Sequence, residues 1–84
     1  MDNSASQPAL HRSLTEQEYQ AVNEALNALK AKQGALLPVL HHIQGVLNYV
    51  PPSSVPVIAR GLNLSDADVH GVISFYHEFR HTPP

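Results

Sequence analysis

The chain contains no cysteine. That absence excludes disulfides, thiolate zinc sites, cysteine nucleophiles and cysteine-held iron–sulfur clusters within these 84 residues. Charge is also scarce: charged residues make up 14% and the formal net charge is −2. No excess of cations exists to neutralise phosphates, so neither nucleic acid nor an anionic lipid surface is an expected partner. Long apolar runs are missing too. The densest, Ala35 to Leu40, is far too short to span a bilayer, and the N-terminal MDNSASQPALHRS has no stretch fit for a signal peptide. The expectation is a cytoplasmic chain without membrane insertion. Internal repeats, low-complexity tracts and the alternating pattern of strands are likewise absent.

What the chain does hold is apolar, with 43% hydrophobic residues. This composition suits one small packed domain of marginal stability, whose weakly charged surface is suited to lie against another protein. Residues 1–12 are polar and aperiodic and read as a disordered leader; a helical domain spans 13–84. Ser13 with Glu16 and Thr15 with Glu18 are overlapping capping boxes. They predict a helix over about 15–32 whose core face carries Tyr19, Val22, Leu26 and Leu29, with Lys30 and Lys32 in its last turn and Gly34 as its stop. Leu36, Leu40, Ile43 and Leu47 then predict a second helix ending near Asn48, with Pro38 early enough to be tolerated.

Tyr49-Val50-Pro51-Pro52 must break that helix and form a rigid elbow. Ser53 or Ser54 can cap a third helix, about 54–62, burying Val55, Ile58, Ala59 and Leu62, with Asn63 as its end. Ser65 and Asp68 form a further capping box that opens a fourth helix, about 66–78, with Val69, Val72, Ile73 and Tyr76 on its core face. The expected fold is all-α, a small orthogonal bundle of about four helices. Gly45 and Gly71 fall mid-helix, where glycine costs about 1 kcal/mol against alanine, and close helix packing would explain both.

Three constellations carry possible chemistry. His77-Glu78-Phe79-Arg80-His81 spells the H-E-x-x-H spacing of a zinc peptidase, with His70 seven residues earlier as a possible third ligand. The alternative is a last helical turn with exposed histidines near the negative end of the dipole, and it is favoured. Ile58-Ala59, Asn63-Leu64-Ser65 and Val69 fit a helix-turn-helix, a DNA reader in form. Its second helix opens on Asp66 and Asp68, which would repel phosphate, so two helices meeting at a tight turn are favoured. Phe75, Tyr76 and Phe79 hold three of the five aromatic residues. Tyr76 belongs to the core face, while Phe75 and Phe79 at i and i+4 form a neighbouring ridge; the three either cap the small core or offer a partner-binding surface. His41, His42 and Gln44 read as solvated or semi-buried polar residues, with no nucleophile or carboxylate pair near them in sequence.

From Gly34 onward the residues resemble a known family. Leu36-Leu37-Pro38-Val39-Leu40, Ile43-Gln44, Tyr49-Val50-Pro51, Ile58-Ala59, Leu62-Asn63-Leu64-Ser65 and Val69-His70-Gly71-Val72-Ile73-Ser74-Phe75-Tyr76 carry the resemblance, over about half of the chain. They are similar to the N-terminal helical domain of the small iron–sulfur subunit of NADH dehydrogenases, which in NADH-quinone oxidoreductase is the E subunit. His77-Glu78-Phe79-Arg80 resembles the formate dehydrogenase gamma branch of that family more than the respiratory one. The resemblance implies a following thioredoxin-like domain with four cysteines around a [2Fe–2S] cluster, and docking on a flavin- and NAD-binding subunit. None of those cysteines is in this sequence. The expectation is therefore a non-catalytic docking module, either a truncated piece or a stand-alone homologue, with no catalytic, cofactor or metal ligand of its own. Phe75, Tyr76 and Phe79 are its candidate partner contacts.

Overall fold

The computed structural model describes residues 14–83, so the expected leader and the Ser13 half of the first capping box lie outside the described residues. The described residues form four helices and no strand: α1 Glu16–Leu29, α2 Leu36–Leu47, α3 Val55–Leu62 and α4 Asp66–Phe75, with a 3₁₀ turn at Pro52–Ser54 before α3. The fold is all-α, as the periodicity requires. None of these helices is long and apolar enough to cross a membrane.

Helix α1 begins where its capping box places it. Thr15 Oγ1 accepts from the Glu18 N–H at 3.1 Å and Glu18 Oε1 accepts from the Thr15 N–H at 2.9 Å, satisfying two otherwise orphaned donors. The helix ends at Leu29, about three residues early, which leaves Lys30 and Lys32 in the turn that follows rather than against the helix dipole. Gly34 does take a left-handed φ of 66°, but inside that turn and not at the helix end. Ala35 and Val39 are both buried, and bringing them back onto α1 requires the chain to leave the helix before Gly34.

The core stripe of α1 is also rotated from the expected one. Val22 and Leu26 are buried with Ala21 and Ala25, whereas Tyr19 is 49% exposed. Small residues on the buried stripe suit close helix packing, and α1 with α2 is the most extensively packed helix pair. Helical spacing alone places Tyr19 inside, whereas the structure leaves it half in water and buries Ala21 and Ala25 instead.

Helix α2 buries Val39, Leu40 and Ile43 and ends in left-handed Asn48, φ 73°, whose N–H donates to the Gln44 carbonyl at 2.7 Å. The elbow then buries Val50 and Ser54. Ser54 does not cap α3 with its side chain: its Oγ donates back to the Pro51 carbonyl at 2.6 Å, and the 3₁₀ turn supplies the first bonds instead. Pro56 sits in the first turn of α3, where its missing N–H is harmless. Val55, Ile58 and Ala59 are buried, and Asn63 closes the helix at φ 60°. Helix α4 opens on the predicted box, with Ser65 Oγ accepting from the Asp68 N–H at 3.0 Å and Asp68 Oδ2 from the Ser65 N–H at 3.3 Å. It buries Val69 and Ile73.

Close packing does not explain Gly45 or Gly71. A methyl group built at either meets nothing within 4 Å. The glycine that carries a helix contact is Gly61, where a Cβ would lie 2.8 Å from Leu26 Cδ1 and 3.0 Å from Cδ2. Leu26 is itself buried, so its side chain has little room to give way. Gly45→Ala and Gly71→Ala are therefore each expected to stabilise, by up to about 1 kcal/mol or a few degrees in melting temperature. Gly61→Ala is expected to lower it, because overpacking costs about 1–3 kcal/mol against a propensity gain of at most about 1 kcal/mol. Thermal melts of the three variants check the ordering, and a rise for Gly61→Ala would remove the α1–α3 contact as its cause.

Candidate functional site

The residues that the sequence marks for partner binding lie where α4 ends, and α4 ends about three residues before expectation. The last helical bond runs from the Tyr76 N–H to the Val72 carbonyl at 3.0 Å, and Tyr76 is already extended, φ −96° and ψ 111°. A turn follows, closed by the Phe79 N–H on the Tyr76 carbonyl at 3.2 Å. The chain then folds back onto α2.

Gln44 holds it there. Its Nε2 donates to the Glu78 carbonyl at 2.6 Å, and its Oε1 accepts from the Arg80 N–H at 2.8 Å, so one side-chain amide brackets Phe79 as a neighbouring strand would. The Val50 N–H donates to the Arg80 carbonyl at 2.8 Å and extends the attachment to the elbow. His41 Nε2 lies 3.1 Å from Glu78 Oε2; both side chains are about half exposed, so this pair contributes at most about 1 kcal/mol. The Phe79 ring packs tilted on His41 at 4.9 Å between centroids and edge-on to Tyr76 at 6.3 Å.

This arrangement corrects two expectations. Phe79 is not half of an exposed ridge with Phe75: it is only 6% exposed and belongs to the core, while Phe75 is 74% exposed. Continuing the helix to residue 78 would have left the Phe79 ring beside Phe75 in water, and leaving it at Tyr76 buries that ring. The zinc spacing also loses its premise, because His77 and His81 lie beyond the helix and cannot share one of its faces. Among the described residues no three His, Asp or Glu side chains are grouped to hold a metal ion. The [2Fe–2S] cluster implied by the resemblance finds no thiolate in the sequence and no substitute ligand group among the described residues, so the residues present do not fit it.

Of the three candidate contacts, Phe75 is the exposed one. Its ring meets that of half-buried Tyr76 edge-on at 5.1 Å, which fixes its position on the surface. The structural roles of Gln44 and His41 escape sequence reasoning, since their partners lie more than thirty positions away and no local pattern reveals them. His42, by contrast, is half-buried, with an Nε2 that has no hydrogen-bond partner. At the α3–α4 turn, the Leu64 N–H donates to the Ala59 carbonyl at 2.8 Å, and Asp66 and Asp68 stand exposed at the front of α4.

Gln44→Ala removes both bracketing bonds at once. The expected loss is about 1–2 kcal/mol, because the freed backbone groups are exposed enough to bind water. Faster amide exchange at Arg80 and Val50, with α1 unaffected, is the accompanying signature; unchanged protection at both would show that Gln44 does not hold the segment.

Comparison with known proteins identifies the family. Residues 22–84 match the model of the thioredoxin-like [2Fe–2S] ferredoxin family. The chain is 34% identical over 73 residues to the HndA subunit of the NADP-reducing hydrogenase of Solidesulfovibrio fructosivorans, which covers 87% of this chain and 43% of that protein. It is 37% identical over 60 residues to the E subunit of the NADH-quinone oxidoreductase of Mycobacterium tuberculosis, covering 71% of this chain and 24% of the relative. The corresponding NADH-quinone oxidoreductase chain of Aquifex aeolicus is 38% identical over 58 residues, 69% of this chain and 36% of its own length. The chain thus spans less than half of each relative. With the match covering three-quarters of its residues, including α2, α3, α4 and most of α1, the chain belongs to the thioredoxin-like [2Fe–2S] ferredoxin family.

Proposed function

We propose that this chain is the helical docking module of the small iron–sulfur subunit of an NAD-linked oxidoreductase complex, of the formate dehydrogenase gamma type. The observation that carries the reading is a family match over residues 22–84 in a chain with no cysteine. Membership without ligands supports a role for these residues in holding the subunit in place, with electron transfer left to a thioredoxin-like domain outside them. The partner in this reading is the flavin- and NAD-binding subunit of the complex. Phe75 is the contact residue, Tyr76 supports its ring from the side, and Phe79 acts indirectly by anchoring the segment that follows α4. The formate assignment rests on the likeness of His77-Glu78-Phe79-Arg80 to the gamma branch.

Two measurements test it. The reading frame and intact mass of the native product come first: continuation past Pro84 into a domain with four cysteines is the expected result. A stop there would leave a cluster-free adaptor and end the claim of an electron-transfer subunit. A complex purified through an affinity tag on this chain should then reduce NAD⁺ with formate; NADH-dependent quinone reduction without formate activity would move the parent to the respiratory branch.

A further inference from the structure

We infer that the docking surface runs from Phe75 along α4 into an apolar groove bordered by the chain's only two lysines, and that its occupant is a partner segment bearing apolar side chains flanked by carboxylates. The inference deepens the docking role proposed above and rests on it.

The groove has a volume of about 450 Å³ and lies where four pieces of chain meet. Leu36 comes from the start of α2, Leu62 from the end of α3, Leu64 from the turn after it, and Val72 from α4. Lys30 and Lys32 stand beside them. Asp68, Val72 and Phe75 follow one another on α4 at spacings of four and three, so they occupy one side of the helix and lead from the groove to the exposed ring. Leu64 and Phe75 are two of the four large hydrophobic residues left exposed among the described ones. An apolar path therefore exists that the other described residues do not cover.

Charge decides what covers it. Because α1 stops at Leu29, both lysines sit in an exposed turn beside the groove instead of on a helix face. Neither forms an ion pair among the described residues. The carboxylate lining the same groove, Asp68, already accepts the Ser65 N–H in the capping box. Two cations without an ion pair among the described residues, on the edge of an apolar channel, favour an occupant whose apolar anchors are flanked by aspartate or glutamate, with the carboxylates steering its approach and the side chains supplying the hold. A lipid tail or a purely cationic segment would leave those lysines unsatisfied.

The test uses the full chain and the flavin- and NAD-binding subunit from the same genome, with affinity and association rate measured at low and moderate salt. Lys30→Glu and Lys32→Glu are each expected to slow association several-fold and to flatten its salt dependence, and Leu64→Asp to weaken affinity about tenfold. Arg60→Glu carries the same change in charge at a residue that does not line the groove, and is expected to leave both unchanged. All four sites are exposed, and unchanged circular dichroism and melting temperature confirm that the variants fold. Carbodiimide coupling should join Lys30 or Lys32 to an aspartate or glutamate of the partner. Wild-type binding that survives every groove variant overturns this inference while the docking role stands. Absence of any wild-type complex overturns both, and lysine-dependent self-association in sedimentation would assign the groove to a second copy instead.

Discussion

Phe79→Ala should lower the melting temperature by more than about 10 °C or leave the chain unfolded at 37 °C. The ring is buried in the common core and touches both His41 and Tyr76, although it lies outside every helix. Truncating a buried phenylalanine costs about 3–5 kcal/mol. Total stability of small domains is about 5–15 kcal/mol, and each kcal/mol moves the midpoint by about 4–8 °C at this size. The loss extends beyond the cavity, since Gln44 and Val50 hold backbone groups on either side of the ring and lose their register when it no longer fills its site. Thermal or urea melts of Phe79→Ala beside Phe79→Leu are the check. Leucine should recover much of the loss by refilling the volume. A shift of only a degree or two for alanine would mean that the segment after α4 is an appendage and not part of the core.

Phe75→Ala, four positions earlier, should have the opposite profile. With 74% of the residue in water, truncation removes little burial and one edge contact with Tyr76, worth about 1 kcal/mol or less. Its expected effect falls on association: an aromatic anchor at the centre of an interface is typically worth about 2 kcal/mol or more, which corresponds to a loss of about thirtyfold in affinity for the proposed partner, the flavin- and NAD-binding subunit. Calorimetric titration with that subunit, together with a melt of the free chain, separates the two contributions. An unchanged affinity would remove Phe75 from the docking surface; a large drop in melting temperature would show that its exposed ring matters to the fold instead.

These two residues also mark how far local sequence reaches. Read as part of a continuing helix, Phe75 and Phe79 are equivalent members of one ridge. They differ only because α4 stops at Phe75, and nothing between Ser74 and Glu78 is a helix breaker. What stops it is the burial of Phe79 on α2 and the two bonds from Gln44, thirty-four and thirty-six residues away in sequence. The early end of α1 is of the same kind, imposed by the return of Ala35 and Val39 to the core and not by any residue from Lys30 to Gln33. The glycines follow suit: Gly45 and Gly71 interrupt helices, yet the one in contact with another helix is Gly61, whose neighbour Leu26 comes from α1.

Local chemistry determined the four helices, three of their signals with little ambiguity. Thr15 with Glu18 and Ser65 with Asp68 start α1 and α4 because side chains adjacent in sequence satisfy the backbone donors of a first turn, and Asn63 ends α3 because asparagine tolerates a left-handed φ. The absence of cysteine likewise determined, before any coordinates, that no thiolate-held cluster could reside in these residues. Tertiary structure alone decided which aromatic faces water and where the lysines stand. Burial is a property of what packs opposite a side chain, and the residues opposite Phe79 and Leu26 come from distant parts of the chain that no local periodicity encodes.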